Sequence, residues 1–249
     1  MTIDYIKPLR LPIPDGLNLA FATRRGGFSP APYDSLNMSV STGDDKQNVA
    51  RNRKAWLGSL GFDENQVAIP LQVHGSEIGR ANTSGEYDRC DALITQQRGV
   101  VLSVRTADCV PVLIWSSTSK SIAAVHSGWR GTELNILGKT LTALVTMDNL
   151  AADLNVAIGP GMRVENFEVG PEFHDKFAAE YLETRNGRLF FDNFKLLIDQ
   201  ALNAGVPAEQ IEDLGFCSFA DSELFFSHRR DGPRTGLMLS VIGWTHDNS

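Results

Sequence analysis

The sequence predicts an α+β fold in one domain spanning residues 1–249, and three observations lead there. Short β-branched, apolar runs follow one another directly. The helix-like segments stand apart from them, which argues against a regular βαβ alternation. No Ser/Gly tract, charge block or repeat interrupts the chain as a linker would.

Taken in order, the first clear element is a helix over Lys46–Leu60, opened by Asp44 or Asp45 as cap and closed by Gly61, with Val49, Trp56, Leu57 and Leu60 on one face. Strands are predicted over Gln66–Val73, Ala92–Thr95, Val100–Arg105, Val112–Ser116 and Ser121–His126, rich in β-branched residues and punctuated by Gly, Pro and Asp. Pro111 has no N–H to give a ladder and is expected only where a strand starts. A helix over Glu133–Met147 and a strand over Asn155–Ile158 follow, the latter ending at Gly159-Pro160-Gly161. Helices over Glu172–Leu182 and Asn193–Ala204 precede strands near Leu224–Ser227 and Leu237–Ile242.

Composition narrows the function. With 42% hydrophobic and 21% charged residues the chain is an ordinary folded protein. Its 23 basic against 30 acidic residues give −7, which argues against nucleic acid or an anionic membrane as partner. The longest apolar runs are strand-sized, too short to span a bilayer. The opening MTIDYIKPLRLPIPDG carries prolines where a secretory signal needs an apolar stretch, so a cytoplasmic protein is expected. Cys90, Cys109 and Cys217 are too few for a disulfide scaffold and are read as thiols.

Three segments deliver reactive side chains where strands end: Gln72-Val73-His74-Gly75, Thr106-Ala107-Asp108-Cys109 and Val125-His126-Ser127-Gly128-Trp129-Arg130-Gly131. Strand ends are where sheet proteins place functional groups. Two imidazoles and a thiol suit Zn²⁺, and three protein ligands leave a fourth position for water or substrate. The spacing matches no local zinc signature, so satisfied structural histidines and a buried cysteine remain the alternative reading. Asp108 is either a carboxylate supporting a ligand or a turn former. Arginines beside glycine, at Arg24-Arg25-Gly26 and Arg130-Gly131, are candidates to hold an oxyanion, with Arg130 favoured because it shares a turn with His126. His228 with Arg229-Arg230 reads more simply as an exposed turn, Trp129 as a packing plug or a stacking platform, and His174 and His246 as no candidates.

In order from Thr23 to Gly243, the motifs TRRGG, YDSLN, LQVHG, CDALIT, TADCVPVLI, AVHSGWRGT, AIGPG, FEVG and FFSHRRDG resemble the YfiH/laccase-domain family. TADC with HSGWRG and the preceding QVH is the most specific part. The resemblance implies a zinc held by His74, Cys109 and His126, with copper possible in the same site. It implies phosphorolysis of adenosine, inosine, guanosine and methylthioadenosine, and hydrolytic deamination of adenosine. It also implies a mixed β-sandwich flanked by helices, like the catalytic domain of cytotoxic necrotising factor. Two departures stand out. Glu165-Asn166-Phe167 replaces a Cys-Cys pair of many relatives, and Leu237 stands where many carry an arginine, a loss Arg234 is close enough in sequence to offset.

The leading expectation is therefore a zinc-dependent purine nucleoside phosphorylase and adenosine deaminase. Its catalytic set is His74, Cys109, His126 and Arg130, with phosphate on Arg24 and Arg130. A Cys/His or zinc amidohydrolase editing a peptidoglycan precursor is the alternative, with Cys109 as nucleophile and His126 as base. A copper polyphenol oxidase of the four-copper kind needs more imidazoles than the five histidines present. A structural metal in a binding module is the non-enzymatic alternative. The sequence carries no expectation of oligomeric state.

Overall fold

Two six-stranded sheets place the strand ends that matter. In the computed structural model, which describes residues 3–147 and 149–245, the first sheet runs Tyr5–Ile6, Leu17–Ala22, Met238–Trp244, Val101–Thr106, Val67–Pro70 and Gly85–Tyr87 across its width. The second runs Ile211–Asp213, Leu154–Ile158, Val110–Ser116, Ile122–Ser127, Ala92–Thr95 and Ile78–Arg80. Both are mixed: Val67–Pro70 lies parallel to both neighbours, whereas Met238–Trp244 is antiparallel to both of its own.

The period of two in the strands builds the layers. Along Val110–Ser116, Val112 and Ile114 point to one face and join the helices Ile136–Val145 and Asn193–Asn203. Leu113 and Trp115 point to the other and meet Phe21, Leu102, Val104 and Trp244 of the first sheet. Buried on both faces, this strand reads as an unbroken apolar run instead of an alternation. The far face of the first sheet, with Ala20, Val101 and Val241, is covered by Trp56 and Leu57 of the helix Lys46–Ser59. Helix, sheet, sheet and helices thus stack in order, and the α+β expectation holds. Each large side chain buried between the layers contributes about 1.5–3 kcal/mol relative to exposure.

Several elements differ from expectation for identifiable reasons. The segment predicted as a helix over Glu172–Leu182 forms 3-10 turns at Pro171–Asp175 and Ala179–Tyr181 and then the strand Leu182–Arg185. Asn186 and Gly187, at φ 51° and 74°, make a tight hairpin turn pairing that strand with Arg188–Phe191. Glu168–Val169 completes this small third sheet, and Phe167, Phe173, Phe177 and Phe191 cluster there.

The helix expected over Glu133–Met147 is two, Trp129–Glu133 and Ile136–Val145, parted where Asn135 turns left-handed at φ 58°. Leu224–Ser227 is no strand; Phe225 and Phe226 plug the core beside the helix Lys46–Ser59, and Ser227 caps the short helix His228–Asp231. Pro111 lies second in its strand, opposite His126. Its carbonyl accepts from Gly159 at the end of the neighbouring ladder, so its missing N–H falls where that ladder stops. Patterning raised no expectation for Leu17–Ala22, although it is a central strand. His246 lies outside the described residues.

Candidate active site

Registry brings the three strand-end motifs to one edge of the stacked sheets. Val67–Pro70 and Val101–Thr106 run parallel, so the chain leaves both at the same end, carrying His74 from one and Cys109 from the other. Ile122–Ser127 arrives there antiparallel to Val110–Ser116, which sets His126 opposite Pro111 and beside Cys109. Donor atoms of His74, Cys109 and His126 all lie within 4.8 Å of one another, and the two imidazoles meet edge to face at 4.9 Å between ring centroids. The group grades outward from buried His126 through half-buried Cys109 to exposed His74. Two nitrogens and a sulfur at this separation could hold a metal ion, and among the described residues no other cluster of three such donors occurs.

The supporting structure comes from residues that spacing did not single out. Asp91 is fully buried; its Oδ1 lies 2.7 Å from His126 Nδ1, and its two oxygens accept the main-chain N–H groups of Val73, His74 and Gly75. Gln72 accepts from the amide of Arg105 and donates back to its carbonyl, tying the His74 loop to the strand Val101–Thr106. Gly128 leaves room for the sulfur: a Cβ there would sit 2.9 Å from Cys109 Sγ and 3.2 Å from His74 Cδ2. Asp108 does not support a ligand. It accepts from Ser218 Oγ and from the amide of Arg229, holding the C-terminal turn against the site, and its φ of 91° marks it as the turn former.

Burial alone would raise the Cys109 thiol, but the charge and hydrogen bond of His126, with a further hydrogen bond from His74, outweigh it and bring the thiol down to about 6. Burial would likewise lower His126, yet the Cys109 thiolate and Asp91 lift it to about 9. Asp91 itself, which burial would push up, is held below the ordinary carboxylate range by His126 and the amides it accepts. Without metal, Cys109 and His126 therefore form a thiolate–imidazolium pair between those two values. Metal uptake must expel the imidazolium proton, and protons favour the metal-free form at the low end of the window. Zinc affinity should accordingly rise about tenfold per pH unit between about 6 and about 9, releasing one proton per ion. Chelator competition at three pH values, with calorimetry in two buffers, reads both quantities; affinity independent of pH would contradict the pair.

The cluster forms part of a cleft of about 590 Å³, a size typical of small-molecule sites. Trp129, Arg130, Phe167, Asn193, His228 and Arg229 are among its lining residues. Arg130 lies over the Trp129 ring at 4.2 Å, and Arg229 donates to the carbonyl of Glu168; neither pairs with a carboxylate among the described residues. His228 and Arg229, read from sequence as an ordinary turn, thus face the cleft, while Arg230 is spent on Asp231 and on the carbonyls of Ser218, Phe219 and Phe225.

The structure does not bring Arg24 to the site. Its guanidinium is engaged by the carbonyls of Asp34 and Ser222 and by the Asp34 carboxylate, in a separate depression. Leu237 lines the cleft and Arg234 does not. Cys90 and Cys217 are buried free thiols away from the cleft, with Cys90 pushed up to about 11 by burial and by Asp91. No helix among the described residues is long and apolar enough to cross a membrane.

Comparison with known proteins is consistent along nearly the whole chain. Residues 18–245 match the family described as multi-copper polyphenol oxidoreductase laccase. A protein of Deinococcus radiodurans named purine nucleoside phosphorylase is 36% identical over 90% of this chain and 88% of its own length. The Escherichia coli protein named purine nucleoside phosphorylase YfiH is 35% identical, covering 93% and 95%. The crystal structure of YlmD from Geobacillus stearothermophilus superposes with a TM-score of 0.86 at 30% identity, covering 93% of each chain.

Proposed function

The chain belongs to the YfiH family, and from that premise we propose that it is a zinc-dependent purine nucleoside phosphorylase that also deaminates adenosine. The observation that carries this reading is the His74, Cys109, His126 cluster in a cleft lined by Arg130 and Arg229, neither of which pairs with a carboxylate among the described residues. Proposed substrates are adenosine, inosine, guanosine and methylthioadenosine. In phosphorolysis a phosphate oxygen bonds to C1′ of the ribose as the C1′–N9 bond breaks, and the base leaves with the electron pair and takes up a proton. Arg130 holds the phosphate, with Arg229 as the second cation, since guanidinium forks match tetrahedral oxyanions. Trp129 and Phe167 offer aromatic faces to the purine. A zinc ion supplies Lewis acidity and acidifies water, the chemistry that displacement of the 6-amino group requires. Copper competes for the same donors.

The test is metal analysis with product identification. The purified protein should hold about one zinc per chain and convert adenosine to inosine without phosphate, adding adenine and ribose 1-phosphate when phosphate is supplied. Neither product from a zinc-loaded protein would defeat the proposal. Arg130→Ala should raise the KM for phosphate about 10–100-fold, the loss of one charge-assisted contact, while zinc content stays constant. Arg130→Lys should recover part of it. An unchanged phosphate dependence would move the clamp to Arg229.

One geometric fact favours a second reading. Cys109 beside His126, itself bonded to Asp91, has the order of a cysteine hydrolase. Thiolate attack on an amide carbonyl would expel the amine after proton transfer from His126. A metal-bound thiolate is a poor nucleophile, so cleavage of an amide in a peptidoglycan precursor by metal-free protein would favour this reading.

A further inference from the structure

We infer that Asp91 is the positioning residue of the cluster: one buried carboxylate fixes the ring of His126 and the main chain of His74 together, so the donors are assembled before an ion arrives. This rests on the metal reading above and adds what builds the site. Asp91 stands immediately before the strand Ala92–Thr95, its amide donating to Glu77 and its carbonyl accepting from the amide of His126. Its backbone is therefore locked to the strand that carries one donor. Its side chain reaches the loop that carries another. Oδ2 accepts from Val73 at 3.1 Å and Gly75 at 2.7 Å, while Oδ1 accepts from His74 at 3.0 Å and faces His126 Nδ1 at 2.7 Å.

Two consequences follow from that geometry. A carboxylate offers about four lone-pair sites, and here all four are used, three of them by main-chain N–H groups that can only donate. The fourth neighbour, His126 Nδ1, then keeps its proton, which makes Nε2 the nitrogen that offers a lone pair to a metal once its own proton is expelled. Meanwhile His74 adopts φ 60°, a left-handed conformation in which successive amides converge on one point as an anion nest. Asp91 is the anion in that nest. Without it three N–H groups lose their acceptor, and His74 loses the contact that favours a conformation otherwise unfavourable for a residue with a side chain.

Asp91→Asn preserves shape and removes half of the acceptors. Turned one way, its NH₂ faces Nδ1 and favours the tautomer that blocks Nε2; turned the other, it opposes the amides of Val73 and Gly75. Either arrangement weakens the cluster. Glu212 provides the control, because it too is a buried carboxylate accepting three main-chain N–H groups, those of Leu9, Arg10 and Leu11, and it does not line the cleft.

The experiment measures zinc Kd by chelator competition, and Tm, for the full-length protein, Asp91→Asn and Glu212→Gln. Asp91→Asn should raise Kd about 10–100-fold, in line with the loss of outer-shell partners elsewhere, and Glu212→Gln should leave it unchanged. An unaltered Kd in Asp91→Asn, or an equal rise in both variants, overturns the inference. Should Asp91→Asn not fold, hydrogen exchange on the unmodified protein decides: Val73, His74 and Gly75 amides should exchange slowly, with a downfield proton on His126 Nδ1, and rapid exchange overturns the inference. If the unmodified chain binds no zinc, the metal reading fails by itself, and the same exchange measurement still decides whether Asp91 holds the loop.

Discussion

On the proposed function, Cys109→Ala is expected to abolish metal binding and lower phosphorolysis and deamination of adenosine by roughly 10³-fold or more, about 4 kcal/mol of transition-state stabilisation. Cys109 supplies the single anionic donor of the set, and its sulfur lies within 4.8 Å of the donor atoms of both imidazoles. Two histidines remain, and a two-nitrogen site with one exposed member holds zinc far less tightly than one closed by a thiolate. The fold should survive, because the residue sits at the start of the strand Val110–Ser116, outside the apolar clusters that join the layers. Metal content by mass spectrometry and kcat/KM with adenosine check this together. Loss of both supports a metal enzyme. Full zinc retention would remove the sulfur from the ligand set, and lost amide cleavage at constant metal would point to the hydrolase reading.

The donors were legible in the sequence because each stands where an apolar strand meets a turn, a local pattern that needs no knowledge of pairing. What assembles them was not. Asp91 reads as an ordinary strand opener, and its partners lie 16 to 35 residues away, so only the antiparallel register of Ala92–Thr95 with Ile122–Ser127 reveals it. Asp108 drew attention by standing next to Cys109. Asp108 sits in the bend between two strands with φ 91°, however, and its carboxylate turns towards Ser218 and Arg229 instead. Arg24 failed for a related reason: the Arg-Gly pattern identifies a tight turn but not the carbonyls waiting around it.

The fold shows the same division between local and long-range information. Helices Lys46–Ser59 and Asn193–Asn203 appear close to where periodicity puts them, each with an Asp cap accepting a main-chain amide. The Asn186-Gly187 pair is a local hairpin signal that raised no expectation, and the rings of Phe173 and Phe177, in the segment expected as a helix, pack on Phe191 of the hairpin. The turn at His228 is a surface feature by composition. It becomes part of the cleft because Asp108, 121 residues earlier in the chain, accepts the Arg229 amide and draws the turn in.

Gly128→Ala should damage the site nearly as severely while leaving the fold intact. Gly128 has φ −76°, which alanine adopts without strain, and it precedes the helix Trp129–Glu133, where a methyl group does not disturb the amides. The obstacle is space. The new Cβ would lie 2.9 Å from Cys109 Sγ and 3.2 Å from His74 Cδ2, so either the sulfur or the imidazole must move. His126 cannot compensate, being buried and bonded to Asp91. A displacement of this kind breaks the spacing that lets three donors share one ion, and misplacement near 1 Å costs roughly 10²-fold in rate. Zinc Kd and kcat/KM should therefore worsen together while Tm changes by only a few degrees. Gly128→Ala with unaltered zinc affinity and kinetics would mean that the ion does not depend on Cys109 and His74 holding their present separation, and the three-donor geometry would have to be abandoned.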